Sequence, residues 1–181
     1  MTTHTQSRLP VRAEAPRILI PALYLLAVVR ILLGFEFLWA FLDKTFGWQL
    51  NTPPGAGWID GGSPTEGYLS AERALEPVFS PMAGATIVDI LFMVGLLCVG
   101  IGLMLGIAVR LAAVAGALMQ FFMWLAAFPI EANPFVNYNL TNAIVILAFA
   151  FLVGHMRLSL AQPWQRAVTS IAGEKGAAWL K

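Results

Sequence analysis

The sequence predicts an all-α integral membrane protein: a four-transmembrane-helix bundle with a long structured first outer loop and a C-terminal amphipathic helix. Of the 181 residues, 59% are hydrophobic and only 12% are charged, which is about half the charge of a soluble domain. Four apolar runs each approach the roughly 20 residues that a hydrocarbon core requires. Basic residues concentrate in alternate connections between these runs, as in multi-pass membrane proteins.

The four apolar runs predict the membrane-spanning helices. They are Ile18–Leu42, Ala83–Leu105, Val109–Phe128 and Leu140–Leu158. The first run follows several arginines, as the apolar core of a signal peptide does. It is too long for such a core and lacks a small-x-small cleavage site, so it is interpreted as a retained helix. The residues 18–158 form one membrane domain, with outer loops at 43–82 and 129–139.

The distribution of lysine and arginine predicts the orientation of the chain. Eight basic residues lie on one side, in the N-terminal segment 1–17, the second connection and the C-terminal region: Arg8, Arg12, Arg17, Arg110, Arg157, Arg166, Lys175 and Lys181. The two outer loops hold only Lys44 and Arg73. They also hold six acidic residues: Asp43, Asp60, Glu66, Glu72, Glu76 and Glu131. The positive-inside rule therefore places both termini, including the tail 159–181, in the cytoplasm.

Two segments outside the spans have predicted local structure. Glycine and proline are so frequent over residues 51–68 that no regular helix or strand is expected there. A short helix is predicted at Ala71–Glu76, capped by Ser70 and ended by Pro77. In the tail, Trp164, Val168 and Ile171 recur at helical spacing, which predicts a short amphipathic helix on the inner membrane surface.

Ionisable and polar residues inside the spans are the candidates for chemistry, because burying them in lipid is costly. The catalytic candidates are Arg30, Glu36 and Asp89, and we expect Arg30 and Asp89 to pair across two helices. The residues predicted to bind a substrate or a quinone headgroup are Lys44, Gln120, Trp124 and Asn142. A buried Arg–Asp pair has an equally weighted structural interpretation, since it can serve only to hold two helices in register.

Several classes of site have no support in the sequence. The two histidines lie far apart, and the single cysteine, Cys98, is interpreted as a small buried apolar residue, so no metal site is predicted. There is no motif for flavin, haem or nicotinamide. A net charge of +1 argues against a nucleic acid partner.

Most of the chain, roughly from the first span to the fourth, resembles a known family. Arg30, Gly34, the Phe37-Leu38-Trp39 segment, the Asp43-Lys44 pair and the loop 58–69 are similar to the DoxX/DoxD family, in particular to large subunits of thiosulfate:quinone oxidoreductase. The resemblance implies a four-helix bundle in the bacterial plasma membrane. For some members it implies transfer of electrons from thiosulfate to membrane quinone, giving tetrathionate, together with a small partner subunit. Other members are implicated in membrane complexes with redox-defence enzymes.

Three functions follow as hypotheses. The first is a membrane subunit of a quinone-linked redox complex, with quinone as electron acceptor. The second is a non-enzymatic anchor or assembly subunit of a respiratory or redox-defence complex. The third, a small-solute transporter, is less favoured because four unbroken helices leave little room for a pathway without a homo-oligomer. The acidic outer loops also disfavour a dianion such as thiosulfate.

Overall fold

The computed structural model describes residues 17–130 and 133–179, with side chains described up to Ile171 in the last helix. The described chain is helical, without strands, and has seven α-helices: α1 Ile20–Phe46, α2 Glu66–Leu69, α3 Glu76–Phe79, α4 Thr86–Leu105, α5 Val109–Ala126, α6 Tyr138–Leu152 and α7 Ala161–Trp179. Four of these are long and apolar enough to cross a membrane: α1, α4, α5, and α6 together with the 3-10 turn Val153–His155 that continues it. The predicted four-helix membrane bundle is confirmed, and the protein is a multi-pass membrane protein.

The ends of the spans differ from the prediction by a few residues. Helix α1 continues through residues 43–46, which were predicted to belong to the first outer loop, and stops at Gly47 in a left-handed conformation (φ 67°). Such a residue is the common way to end a helix, and glycine adopts it without strain. Helix α6 begins earlier than predicted, at Tyr138, because the Asn137 side chain accepts a hydrogen bond from Leu140 N.

The core lies where all four spans meet at Gly116 of α5. A side chain at this position would contact Val99 of α4, Ile146 of α6 and Phe37 of α1. These three residues are themselves buried. Glycine therefore allows α5 to approach the other spans closely, as small residues do in membrane bundles. Large apolar side chains cover the outside of the spans, for example Leu25, Leu91, Leu118 and Ile144.

The four spans contact one another unequally. Helix α1 packs along α4, α4 packs on α5, and α5 packs along α6, whereas α1 and α6 make few contacts. We call the α1–α4 contact the closed interface. Its centre is Gly34 of α1, where a methyl group would come within 3.0 Å of the Gly100 oxygen. We call the α1–α6 contact the open interface. It includes Arg30 and Glu36 on α1 and Asn142 and Phe149 on α6.

Two predictions for the first loop are wrong. No regular helix was expected in the segment 51–68, but it contains a short 3-10 helix at Trp58–Asp60 and the start of α2. The predicted helix at Ala71–Glu76 is replaced by α3, which begins at Glu76. Pro77 stands at the start of this helix and does not end it, because the first turn of a helix leaves its N–H groups without helical partners, so a residue without an N–H fits there.

Helix α7 confirms the predicted C-terminal helix but is longer than the short helix expected. Its start is attached to the end of α4, where Leu160 N donates to Leu105 O at 2.8 Å. Of the predicted apolar face, Val168 is buried and Ile171 is 87% exposed. The interpretation of Cys98 as a buried residue is wrong, because its side chain is exposed on the surface of α4.

Candidate functional site

Charged residues separate to opposite ends of the bundle. The basic end, where α1 and α5 begin and α4 and α6 stop, carries Arg17, Arg110 and Arg157. The acidic end carries six of the described carboxylates: Asp43, Asp60, Glu66, Glu72, Glu76 and Asp89. Arg8, Arg12, Glu131 and Lys181 of the predicted charge pattern lie outside the described residues, as does the side chain of Lys175.

Arg30 is a fully buried residue near the basic end. Its guanidinium donates hydrogen bonds to the main-chain oxygens of Leu103, of Met104 at 3.3 Å and of Leu158 at 2.8 Å. These oxygens lie at the end of α4 and in the segment after α6, where helical carbonyls lack partners. Arg30 therefore joins α1 to both neighbouring spans, through main-chain atoms and without a carboxylate.

The predicted pair between Arg30 and Asp89 is wrong. Asp89 lies in the first turn of α4, at the acidic end, whereas Arg30 contacts the last turn of the same helix. The 14 residues between Asp89 and Leu103 correspond to about 21 Å along the helix axis. The pair was predicted because both residues are ionisable groups inside the spans, and the sequence alone does not give the register of α1 against α4.

Asp89 anchors the first loop. Its carboxylate accepts hydrogen bonds from Ser63 Oγ at 3.0 Å and from Thr65 Oγ1 at 2.5 Å, and only 6% of the residue is exposed. Lys44 adds an electrostatic attraction to Asp89, and its ammonium group lies 6.0 Å from the centre of the Phe92 ring. The structure thus brings two predicted site residues, Asp89 and Lys44, together under the Gly61–Gly67 loop.

Asp43 has a structural role that the sequence analysis missed. It was predicted to lie in the first outer loop, but it is 1% exposed and accepts hydrogen bonds from Leu50 N at 3.3 Å and Asn51 N at 3.1 Å. An acidic residue just before a glycine-terminated helix end is a signal for this arrangement, since aspartate readily accepts hydrogen bonds from nearby main-chain N–H groups.

Glu36 is the only one of the described carboxylates in the central part of a span, and it faces outward from the bundle. It lies three residues past the middle of α1, which is about 5 Å along the axis. Across the open interface, Asn142 Nδ2 of α6 donates to Glu36 Oε2 at 3.4 Å. Glu36, a predicted catalytic residue, and Asn142, a predicted binding residue, are therefore neighbours. They lie where membrane lipid or a molecule dissolved in it reaches them.

Two buried amides lie in the half of the bundle toward the acidic end. Gln120 of α5 is 6% exposed and Asn139 of α6 is 1% exposed. Their side-chain oxygens have no hydrogen-bond partner among the described residues. Asn139 was not among the predicted site residues. The signal that identifies it as buried is its spacing from Ala143 and Ile146, which form the buried face of α6.

Trp124 has a different environment from the other predicted binding residues. Its Nε1 donates to Phe135 O at 2.9 Å, and its ring contacts Phe121 and Phe128 at centroid distances of 5.3 and 5.0 Å. These contacts fix the connection between α5 and α6. Trp124 therefore lies at the acidic end of α5, in the position of an interfacial aromatic residue.

Loop residues complete the acidic end. Tyr68 donates to Met123 O at 2.8 Å, and Arg73 donates to Ala126 O at 3.2 Å and lies over the Tyr68 ring. Burial raises the pKa of Tyr68, so its hydroxyl remains a donor at neutral pH. These contacts attach the first loop to the end of α5.

No family model matches this chain, and no curated protein or solved structure is significantly similar to it. The resemblance to the DoxX/DoxD family stays a hypothesis that rests on residues of α1 and the first loop. Within the described residues, no three His, Cys, Asp or Glu side chains are close enough together to hold a metal ion.

Proposed function

We propose that the protein is a membrane subunit of a quinone-linked redox complex, and that quinone binds to it at Glu36 and Asn142. The observation that carries this proposal is a carboxylate near the middle of a membrane span, exposed on the lipid-facing side and hydrogen-bonded to an amide of another helix. Such a group is expensive to keep in hydrocarbon, and ionisable residues in this position are usually functional. Quinones dissolve in the hydrocarbon core, so they reach this position laterally.

The chemistry of the pair suits a quinone headgroup. The amide of Asn142 donates a hydrogen bond to a quinone carbonyl, and Glu36 exchanges a proton with a quinol hydroxyl. Reduction of one quinone consumes two electrons and two protons. If thiosulfate is the donor, as the DoxX/DoxD resemblance implies, two thiosulfate ions supply the electrons and become one tetrathionate. The partner subunit of the complex then holds the thiosulfate, because the acidic end of this chain repels a dianion.

The orientation belongs to the same proposal. The basic end faces the cytoplasm of a bacterium, both termini lie on that side of the plasma membrane, and the acidic end faces outward. Protons taken up at Glu36 then come from the outer half of the membrane.

A second candidate is a non-enzymatic anchor or assembly subunit. Arg30 and Asp89, two of the three predicted catalytic residues, use their polar groups within the fold, on main-chain oxygens and on loop hydroxyls. In this case Glu36 and Asn142 form the contact with a partner subunit or with a second copy of the chain, which removes the carboxylate from lipid.

The first experiment measures quinone binding without any electron donor. Trp39 lies one helical turn from Glu36, and quinones quench tryptophan fluorescence on contact. We expect ubiquinone in proteoliposomes to quench the wild type, and Trp39→Phe to remove most of the saturable quenching. Glu36→Leu and Asn142→Leu should weaken the quenching about tenfold each, the effect of one lost charge-assisted or buried hydrogen bond.

The matched control is Glu72→Gln, which neutralises an exposed loop carboxylate far from the pair. If ubiquinone quenches the fluorescence of Glu36→Leu and Asn142→Leu as strongly as that of Glu72→Gln, the proposed quinone site is wrong. Sedimentation of the same variants in detergent then tests the second candidate, since a contact between copies through Glu36 predicts a smaller assembly for Glu36→Leu. Reduction of quinone on anaerobic addition of thiosulfate identifies the donor in a separate step.

A further inference from the structure

The open interface contains a crevice at the basic end, away from Glu36 and Asn142. The crevice is shallow: its enclosed volume is about 10 Å³, room for about one water molecule. Its floor consists of Ala27 and Arg30 of α1 and Phe149 of α6, all buried. The mouth is formed by the exposed residues His155 and Arg157. The remaining walls are apolar: Leu23, Leu26, Leu152 and Met156. A site with apolar walls and a basic rim is suited to an amphipathic anion.

The positive charge around this crevice has no acidic counterpart. All described carboxylates other than Glu36 lie at the acidic end, and none lines the crevice. The guanidinium of Arg157 lies 6.0 Å from the centre of the Tyr24 ring. The buried Nε of Arg30 has no hydrogen-bond partner among the described residues. Positively charged groups that line an apolar crevice without a carboxylate favour an anion from outside the chain.

We propose that the crevice binds an anionic phospholipid, with the phosphodiester at Arg157 and His155 and one acyl chain along the leucines of α1 and α6. Arginine recognises phosphate through two parallel N–H donors, so it is suited to this contact. Basic pockets between transmembrane helices are a recurrent kind of lipid headgroup site. The leucines and Phe149 provide a surface that a free phosphate ion does not use. This proposal is independent of the proposed quinone function.

The test is native mass spectrometry of the full-length protein released from detergent micelles and titrated with lipid. Dioleoyl phosphatidylglycerol is compared with dioleoyl phosphatidylcholine, which has the same chains and no net charge. Glycerol phosphate, which has the anionic group without the chains, is the third probe. We expect saturable binding of phosphatidylglycerol only, and a loss of about tenfold in affinity for Arg157→Gln, as for one charge-assisted contact.

The matched control is Arg110→Gln. Arg110 is also exposed at the basic end, but it lies on α5 and does not line the crevice. Unchanged binding by Arg110→Gln, with weakened binding by Arg157→Gln, supports the site. Equal losses for the two variants overturn it, since they indicate diffuse attraction to a basic surface. Equal binding of the two lipids overturns the role of charge, and binding of glycerol phosphate as tight as that of the anionic lipid overturns the role of the acyl chain.

Discussion

The two interfaces that α1 forms with its neighbours differ in how closely the helices pack. At the closed interface, Gly34 of α1 and Gly100 of α4 let the two backbones approach until a methyl group on either would collide with main-chain atoms. At the open interface, α1 and α6 make few contacts, and polar groups occupy the space between them. Close packing requires small residues, whereas a polar side chain in lipid requires a partner.

The two sides of α1 therefore have different roles: one stabilises the bundle, and the other carries the groups proposed to function. The closed interface provides the contacts that hold α1 in the bundle. The open interface provides two places where groups of the chain remain accessible, Glu36 with Asn142 toward the acidic end and the crevice at Arg157 toward the basic end. Arg30 belongs to both, because it donates to the end of α4 and also lines the crevice. Substitutions should therefore affect stability according to the interface that they alter.

Arg30→Ala should have the largest effect on stability. The substitution removes the donor for main-chain oxygens of Leu103, Met104 and Leu158 and leaves them in an apolar environment. We expect a loss of about 3 kcal/mol or more. The measurement is thermal unfolding in detergent followed by tryptophan fluorescence. Arg110→Ala, an exposed residue at the same end, should change stability by less than about 0.5 kcal/mol. Similar melting of the two variants would contradict a role for Arg30 at both interfaces.

Gly34→Ala tests the closed interface. The added methyl group would lie 2.5 Å from Met104 N, a main-chain atom that cannot move without displacing α4. Overpacking of this kind costs about 1–3 kcal/mol. The control is Gly67→Ala in α2, where a methyl group meets no atom within 4 Å. This variant should be neutral or slightly stabilising. If Gly34→Ala is as stable as the wild type, the closed interface accommodates a methyl group and is not closely packed at Gly34.

Asp89→Asn should loosen the first loop without opening either interface. The amide keeps one acceptor oxygen for Ser63 and Thr65 but loses the charge that strengthens both bonds and attracts Lys44. A loss of about 1 kcal/mol is expected, within the range for one weakened network. Hydrogen exchange should increase in the main chain of residues 63–67, with α1 and α6 unaffected. Faster exchange throughout α1 would mean that Asp89 supports the bundle and not only the loop.

Glu36→Gln should have the smallest effect on stability. The residue is exposed on the lipid-facing side, and a glutamine oxygen still accepts from Asn142 Nδ2. Thermal unfolding should change by no more than about 0.5 kcal/mol. The same variant should lose proton exchange with quinol, because an amide does not titrate. Strong destabilisation by Glu36→Gln would assign this carboxylate to packing and would weaken the contrast between the two interfaces.

Local sequence patterns predicted the helices but did not predict the polar contacts between them. The apolar runs predicted all four spans, because the length and hydropathy of a run are local properties of the sequence. Residues 43–46 were assigned to a loop, although Asp43 is buried there by contacts with Leu50 and Asn51. The pairing of Glu36 with Asn142 and of Lys44 with Asp89 was not predicted. Both pairs depend on which helices are adjacent, and on their register.

That the protein crosses a membrane four times follows from the sequence alone, because the solvent preference of each span is a property of its own composition. The separation of basic and acidic residues to opposite ends follows from the sequence as well. The packing of the helices, in contrast, determines that Arg30 binds main-chain oxygens and not Asp89, and that Glu36 faces outward beside Asn142. A polar side chain inside a membrane pairs with a group within about 3 Å, and here that group comes from another helix, whose position no local pattern contains.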